Sequence, residues 1–290
     1  MSVKRNAIIM AAGTSSRFVP LSAEIPKGLL EVKGEILIER QIRQLLEAGV
    51  SDITLVVGYK AEMFEYLKDK YGVSIVYNDD FARYNNTSSL IRVIDKLNNT
   101  FICSSDNYFP ENVFVRETEN SYYSALYAKG KTGEYCLTIN DKDDIVDVHV
   151  GGDDSWYMVG HVFLNSKFSE AFRKLMIKEY KNEETKQGYW EDVYIRYINQ
   201  LPKLKINRYK ADEIFEFDSL DELRTFDISY KTDTRSSVVK AICKGLNVKE
   251  EDVTCFKKIK HAGDYLLFSF ENGPDTYIYS SENGIKIEKQ

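Results

Sequence analysis

A short apolar run, Ala7-Ile8-Ile9-Met10-Ala11-Ala12, stands near the start of the chain and ends at Gly13. A continuous apolar run of this length, closed by a glycine, is typical of a strand buried on both faces, as in a parallel sheet. Similar short apolar runs follow at residues 53–58, 73–77 and 100–104. The opening stretch therefore predicts the first strand of a mostly parallel sheet.

Amphipathic helices are predicted between these strands, because residues 37–48, 61–70 and 88–97 carry apolar side chains at helical spacing. Alternation of strands and helices with short connections predicts an α/β fold with helices on both faces of the sheet. Ligands of such folds bind beyond the carboxyl ends of the strands. Gly13 and Asp106 each follow a strand directly, so we expect them at the same crevice.

The second half of the chain has more β-strand character. Between residues 121 and 229 we predict four β segments, two helices, two further strands and a final helix. A capping box of Ser219 and Glu222 opens this final helix. Residues 230–237 are polar and predict a linker. These predictions give two domains, residues 1–229 and a small α+β appendage at 230–290. The β segments are 121–127, 134–140, 145–150 and 156–165, the helices 167–180 and 189–201, and the strands 206–209 and 214–217.

Composition excludes several classes of function. The 290 residues carry a formal net charge of -6, which argues against non-specific nucleic-acid binding, because that needs a basic face. The four cysteines have no C-x-x-C spacing, which is typical of free thiols in a reducing compartment. No apolar stretch is long enough to span a bilayer and no secretory signal opens the chain, so we expect a cytoplasmic protein without membrane insertion.

The loop after the first strand reads Gly13-Thr14-Ser15-Ser16-Arg17, and Lys27 follows in a Pro-Lys-Gly turn. Small residues let consecutive backbone N–H groups approach a phosphate, and Arg17 and Lys27 supply positive charge. A simple strand-to-helix turn with solvent-facing cations is the alternative.

Two carboxylates are candidates for a Mg²⁺ site, since Mg²⁺ takes one or two carboxylates together with substrate phosphates. Asp106 follows the strand at 100–104, and Asp218 follows the predicted strand at 214–217. The alternative is that both carboxylates cap a turn or a helix.

Aromatic and acidic residues cluster at Tyr189-Trp190-Glu191-Asp192. With Tyr84, Tyr108 and Trp156 they favour recognition of a cationic group such as a quaternary ammonium. The alternative is that Trp190 is a core residue, as large aromatic side chains usually are.

Segments 11–18 and 26–30 together resemble the signature of the nucleoside-triphosphate transferase family. Segment 84–90, Tyr84-Asn85-Asn86-Thr87-Ser88-Ser89-Leu90, is similar to that of bacterial CTP:phosphocholine cytidylyltransferases rather than to the Gly-Thr-Ala type of sugar nucleotidyltransferases. Three further segments are also similar to segments of those cytidylyltransferases and occur in the same order: 105–108, 189–192 and 216–219. The resemblance covers about residues 5 to 228.

The resemblance implies a Rossmann-like sheet of the nucleotide-diphospho-sugar transferase type and transfer of CMP from CTP to phosphocholine, phosphoethanolamine or 2-aminoethylphosphonate. The implied catalytic residues are Lys27 and Arg17, and the implied ligands of the Mg²⁺ cofactor are Asp106 and Asp218. The implied nucleotide-binding residues are Ala11, Ala12, Gly13, Thr14, Ser15, Asn86, Ser88 and Ser105, and the implied substrate-binding residues are Tyr84, Asn85, Tyr108, Trp190 and Asp192.

One departure and two alternatives accompany this resemblance. The family signature usually has glycine where Ser15 stands. A sugar-1-phosphate nucleotidyltransferase is the first alternative, and a catalytically silent regulatory subunit is the second. The tail from residue 238 resembles the start of a choline-kinase-like lobe, and we expect no kinase activity from it because the catalytic parts of a kinase do not follow.

Overall fold

The computed structural model describes residues 4–116, 119–261, 263 and 265–290. The chain forms two compact units. The first unit comprises Met1–Gly13 and Leu37–Phe215, and the second comprises Thr14–Ile36 and Glu216–Gln290.

A seven-stranded mixed sheet forms the first unit, with the strand order β3-β2-β1-β4-β6-β5-β7. Strands β3, β2, β1 and β4 are parallel to one another, β6 is antiparallel to β4 and β5, and β7 is parallel to β5. The predicted mixed, mostly parallel sheet is thus confirmed. The strands are β1 (Asn6–Ala11), β2 (Asp52–Val57), β3 (Ser74–Tyr77), β4 (Thr100–Ser104), β5 (Tyr122–Ile139), β6 (Ile145–Leu164) and β7 (Lys205–Arg208).

The helices of the first unit follow the predicted order with shifted boundaries. Helix α1 ends at Glu47 and is followed by Gly49, whose φ of 76° is the left-handed conformation that glycine adopts without a steric penalty. The predicted helix 88–97 instead begins at Asn86, where Asn85 accepts from the Asn86 N–H, and is followed by a 3-10 turn. The helices are α1 (Leu37–Glu47), α2 (Tyr66–Tyr71), α3 (Asn86–Arg92), α4 (Ser166–Glu179), α5 (Glu183–Gln187) and α6 (Trp190–Arg196).

The core of this unit is formed by the sheet and helices α3, α4 and α6. Ile8, Leu90, Phe172 and Tyr194 are among its members and are almost completely buried. Each such side chain contributes about 1.5–3 kcal/mol by leaving water. The core thereby fixes the first turn of α6 against α3.

Two strand predictions were wrong. The segments predicted on either side of residues 128–133 and 151–155 are continuous strands, β5 and β6, and Gly130 and Gly151 lie at irregularities in their pairing. Glycine inside a strand often marks a bulge rather than a turn. Residues 214–217 form no strand; Phe215 makes an isolated bridge, exchanging backbone hydrogen bonds of 2.8 and 2.9 Å with Tyr108.

An antiparallel sheet of four strands, in the order β8-β9-β10-β11, and three helices form most of the second unit. The predicted α+β character of the tail is confirmed. This unit also contains short helical elements and a small antiparallel hairpin. The helical elements are Ser16–Phe18, Leu21–Glu24, Lys27–Leu29 and Glu250–Asp252, and the hairpin pairs Glu31–Val32 with Glu35–Ile36. The strands are β8 (Val253–Lys258), β9 (Leu267–Asn272), β10 (Asp275–Ser280) and β11 (Lys286–Lys289), and the helices are α7 (Leu220–Phe226), α8 (Ser229–Thr232) and α9 (Ser237–Leu246).

Residues 230–237 are folded rather than a linker. Tyr230, Thr234 and Ser236 are at most 1% exposed. Thr234 donates its backbone N–H to the Glu250 carboxylate at 2.7 Å. This bond satisfies a buried N–H group that would bind water if the segment were an exposed linker. The boundary predicted at residues 229 and 230 falls inside this unit.

All four cysteines are free, as predicted. Among the described residues, none of the helices has the length and apolar composition that crossing a membrane requires.

Candidate active site

The loop that carries Ser15 has a strained backbone. Ser15 adopts φ 47° and ψ 42°, the left-handed conformation, immediately before the 3-10 turn Ser16–Phe18. Within the described part of the chain, the backbone N–H groups of Thr14 and Ser16 donate no hydrogen bond to another backbone group. These donors are therefore available to an anion. The position where the family signature usually has glycine is thus one where glycine would be favoured.

Three predicted site residues meet in the second unit. Lys27 Nζ lies 3.6 Å from Asp218 Oδ1, and an Arg17 guanidinium nitrogen lies 3.2 Å from the same oxygen. The Lys27 side chain is 6% exposed, whereas that of Arg17 is 80% exposed. The ion pair of Arg17 is therefore worth little in stability, and its charge is free to be redirected to a ligand.

Asp218 is held just before helix α7. Ser219 Oγ accepts from the Glu222 N–H at 3.2 Å, so the predicted N-cap is confirmed. The Glu222 carboxylate accepts from the N–H of Asp218 at 2.8 Å rather than from Ser219. This variant of the capping box fixes the backbone of Asp218 directly.

In the first unit, the carboxyl ends of β1 and β4 lie side by side. Met10 pairs with Ser104 in parallel register, and the Ser105 N–H donates to the Met10 carbonyl at 3.1 Å. Ala11 and Ala12 are buried, Gly13 is exposed and Asp106 is half-buried. The predicted residues at these two strand ends therefore share one edge of the sheet.

Gln41 supports the turn that carries Asp106 and was missed by the sequence analysis. It is 1% exposed, and its Nε2 donates to the carbonyls of Ser104 and Asn107, both at 2.8 Å. A polar residue on the apolar face of α1 was the available signal. Close by, Tyr108 is 8% exposed, and the Arg40 guanidinium carbon lies 4.8 Å from its ring centroid.

Trp190 is a core residue, which corrects the expectation that its ring contacts the acceptor. Its side chain is 2% exposed, with the rings of Tyr123 and Phe172 at 6.0 and 5.7 Å. Its backbone N–H donates to Asn86 Oδ1 at 2.9 Å. Trp190 thus anchors α6 while its neighbours in sequence carry the polar groups.

Glu191 is the strongest site candidate that sequence reasoning did not select. Tyr123 donates its hydroxyl to Glu191 Oε1 at 3.0 Å, and Asn86 Nδ2 lies 3.3 Å from Oε2. Burial raises the pKa of Glu191 to about 7. A carboxyl group of this kind at a partly open position is a frequent mark of a functional site.

Asp192 lies beside Glu191 and is half-buried. It accepts the Tyr189 N–H at 2.8 Å, as the N3 residue of α6, and the Tyr135 hydroxyl at 3.0 Å. Burial, followed by the hydrogen bond to Asp192, raises the pKa of Tyr135. We define the acid–tyrosine cluster as Tyr123, Tyr135, Glu191 and Asp192.

The segment 84–88 is only partly available to a ligand. The half-buried Tyr84 ring has the Arg83 guanidinium at 4.8 Å and Lys186 Nζ at 5.5 Å. Ser88 is fully buried and donates its hydroxyl to the Asn85 carbonyl at 2.7 Å. Asn85 itself caps α3. The expectation that Ser88 contacts the nucleotide is therefore corrected, because its side chain is used inside the fold.

The carboxylates fit a magnesium ion by their chemistry. Among the described residues, no group of three or more His, Cys, Asp or Glu side chains is arranged to hold a metal. Magnesium does not need such a group, because substrate phosphates and water complete its shell around one or two carboxylates. Both ion pairs of Asp218 use Oδ1, and its side chain is 42% exposed.

Comparisons with known proteins agree with this arrangement. A family model described as the MobA-like NTP transferase domain matches residues 7–141. The 2-aminoethylphosphonate cytidylyltransferase of Lancefieldella rimae is 37% identical over 231 residues, which are 78% of this chain and 94% of the relative. The chain belongs to the MobA-like nucleotidyltransferase family.

Two more comparisons support membership of this family. The choline-phosphate cytidylyltransferase of Streptococcus pneumoniae is 34% identical over 218 residues, which are 75% of this chain and 95% of that enzyme. The solved structure of CTP:phosphocholine cytidylyltransferase from Streptococcus pneumoniae superposes with a TM-score of 0.74 at 34% identity, covering 77% of this chain and 97% of that one. The nucleotidyltransferase resemblance inferred from the sequence motifs is confirmed. The kinase-like resemblance of the tail stays a prediction.

Proposed function

We propose that this MobA-like nucleotidyltransferase transfers CMP from CTP to phosphocholine or a related amino-alcohol phosphate or phosphonate and releases pyrophosphate. The observation that carries the proposal is the meeting of Arg17, Lys27 and Asp218 on a chain whose relatives include two kinds of cytidylyltransferase. A buried lysine beside a carboxylate and an exposed arginine suits a polyphosphate, which needs several positive charges in fixed positions.

The reaction needs no covalent intermediate. A phosphate or phosphonate oxygen of the acceptor forms a bond to the α-phosphorus of CTP, and the bond from that phosphorus to the α–β bridging oxygen breaks. The bridging oxygen keeps the electron pair and leaves with pyrophosphate. Lys27 and Arg17 would neutralise the charge on the leaving oxygens, and the free N–H groups of Thr14 and Ser16 would donate to phosphate oxygens.

We also propose that Mg²⁺ is the cofactor, with Asp106 and Asp218 as its protein ligands. This assignment comes from the sequence, and the exposure of Asp218 supports it. When bound, Mg²⁺ would supply charge neutralisation to the phosphates. Ala11, Ala12, Gly13, Ser15 and Ser105 would supply the backbone surface for the nucleotide.

The acid–tyrosine cluster is our proposed site for the cationic end of the acceptor. Glu191 and Asp192 supply negative charge, and the half-buried ring of Tyr135 supplies a face that attracts a cation, whereas the buried Tyr123 contributes its hydroxyl to Glu191. Tyr84, Asn85 and Tyr108 stay candidates for further contacts with the acceptor, and Asn86 stays a candidate for contact with the nucleotide. Because the pKa of Glu191 is about 7, a bound cation would favour its ionised form near neutral pH.

The two alternatives are less well supported. A sugar-1-phosphate acceptor carries no cation for the acid–tyrosine cluster to recognise. A silent regulatory subunit would have no chemical need for Arg17, Lys27, Asp106 and Asp218 together. The free cysteines support our proposal that the enzyme acts in the cytoplasm.

A panel assay tests the proposed function. The protein is incubated with Mg²⁺ and each of the four NTPs, against phosphocholine, phosphoethanolamine, 2-aminoethylphosphonate and glucose-1-phosphate, and pyrophosphate release is measured. We expect release only with CTP and an acceptor that carries an amine. Release with glucose-1-phosphate alone would support the sugar nucleotidyltransferase instead.

A further inference from the structure

The tail contacts the chain just before Lys27. Glu24 lies between Arg17 and Lys27, and its Oε1 accepts the backbone N–H groups of Ser237 and Val238 at 2.9 and 3.2 Å. The Ser237 hydroxyl donates to the same oxygen. One carboxylate oxygen from the loop therefore receives three donors from the first turn of helix α9.

Helix physics explains why this contact is favourable. The first turn of a helix has backbone N–H groups without partners inside the helix, and its dipole places positive charge there. Ser236 Oγ accepts the N–H of Val239 at 3.1 Å, and Glu24 satisfies the two N–H groups before it. Glu24 thus acts as a charged cap supplied from a distant part of the chain.

The tail also contacts the chain just after Lys27. Tyr230 donates its hydroxyl to the Glu31 carbonyl at 2.7 Å, and an Arg235 guanidinium nitrogen lies 3.3 Å from Glu31 Oε1. The Arg235 guanidinium carbon lies 4.2 Å from the centroid of the Tyr230 ring. The segment that carries Lys27 is therefore held by the tail at both ends.

A third set of contacts reaches the helix that follows Asp218. Arg224 on α7 is 5% exposed and donates to the carbonyls of Glu250 and Val253 at 2.6 and 2.7 Å. Asp221 Oδ2 accepts the Cys255 N–H at 2.8 Å. These charge-assisted bonds are of the stronger kind.

We infer that residues 230–290 are a positioning element for the active site, which holds Lys27 through Glu24 and Glu31 and holds Asp218 through Asp221 and Arg224. This inference rests on the proposed function for the roles of Lys27 and Asp218. The two cytidylyltransferases align with 75–78% of this chain but 94–95% of their own length, so part of this chain has no counterpart in them. Glu24 and Arg224 are positioning residues, since they act through Lys27 and Asp218.

Full-length variants test the inference. Glu24→Ala removes the cap before Lys27, and Arg235→Gln removes an exposed ion pair after it, which should leave the fold intact. Asp275→Asn is the matched control, because it removes an ion pair with Lys289, at 2.6 Å, that lies wholly within the tail sheet. We expect Glu24→Ala to raise the KM for CTP by about tenfold, since small displacements of positioning groups are costly. In Glu24→Ala the KM for the acceptor should stay within about twofold of the wild-type value. In Asp275→Asn the KM for CTP and the KM for the acceptor should both stay within about twofold of wild type.

The KM is the decisive kinetic constant. A variant that merely lowered the folded fraction would lower the apparent kcat and leave each KM unchanged. Arg235→Gln should shift the KM for CTP in the same direction by a smaller factor. Unchanged KM values for CTP in both variants would overturn the inference.

Hydrogen exchange separates this inference from the proposed function. In Glu24→Ala we expect the amides of residues 14–31 to exchange about fivefold faster or more, with no such change in Asp275→Asn. This measurement needs no substrate. An inactive wild-type protein would contradict the proposed function, whereas unchanged exchange in 14–31 would contradict the positioning role.

Discussion

Lys27 Nζ lies 3.6 Å from Asp218 Oδ1, although the two residues lie far apart in the sequence. The lysine side chain is 6% exposed, so it is removed from water with a carboxylate as partner. Burying a cation in this way costs stability unless it is paired. A buried cation that is paired in this way, beside an exposed arginine, is the feature from which we derive phosphate chemistry.

Lys27→Met tests this charge. We expect kcat/KM for CTP to fall by at least about 100-fold, because a preorganised cation facing the leaving phosphates is lost. Steady-state pyrophosphate release measures it. Lys68→Met is the control, since Lys68 pairs with Glu65 on the surface, and it should leave activity unchanged. Equal activity in both variants would remove Lys27 from the mechanism.

Ser15→Gly tests the strained loop. A left-handed backbone costs a non-glycine residue about 1 kcal/mol, part of which the greater freedom of unfolded glycine offsets. We expect the melting temperature to rise by about 2 °C, as followed by circular dichroism. Ser15→Val should lower it, because a β-branched residue fits this conformation poorly. A lower melting temperature for glycine than for serine would show that the hydroxyl contributes more than the strain costs.

Asp106→Ala tests the metal assignment. Loss of a magnesium ligand should reduce turnover at saturating CTP by about 100-fold or more, and raising the Mg²⁺ concentration should restore part of it. Turnover within about threefold of wild type at the same Mg²⁺ concentration would exclude Asp106 as a ligand. Circular dichroism should be unchanged, since this half-buried side chain lies outside the apolar core.

Glu191→Gln tests the raised pKa. Burial raises the pKa of Glu191 from 4.5 to about 7, so the folded protein binds this proton more tightly than the unfolded chain does. The resulting stability is fully present below pH 4.5 and is lost as the pH rises through 7, a change of about 3 kcal/mol.

Because glutamine mimics the protonated form, the stability of Glu191→Gln relative to wild type should increase between pH 5 and pH 8. Urea unfolding at both pH values measures it, with Glu62→Gln as an exposed control. A constant difference between the variant and wild type would contradict the raised pKa.

Much of the parallel half of the sheet could be predicted, because short apolar runs such as 7–12 decide both strand type and burial locally. The glycines of β5 and β6 could not be distinguished from turns, because a bulge depends on the partner strand. The burial of Trp190 and Ser88 depends on the packing of α3 against α6, which no local pattern contains. The local sequence does not distinguish Glu191 from its neighbours, since its raised pKa arises from tertiary burial.

The folded state of residues 230–237 could not be predicted from the sequence either. Their polar composition is typical of a linker, and only their partners reveal otherwise: Glu250 for Thr234, Glu24 for Ser237 and Glu31 for Arg235. Each of these pairs joins segments far apart in sequence except the first. Local propensity cannot anticipate such pairings.

The most direct test of the central claim is ³¹P NMR of the wild-type protein with CTP, Mg²⁺ and either phosphocholine or 2-aminoethylphosphonate. We predict that the CTP signals decline while a new phosphoanhydride, joined to the acceptor, and pyrophosphate appear in equal amounts. Formation of neither product with either acceptor, by a protein that is folded and binds CTP, would contradict the account.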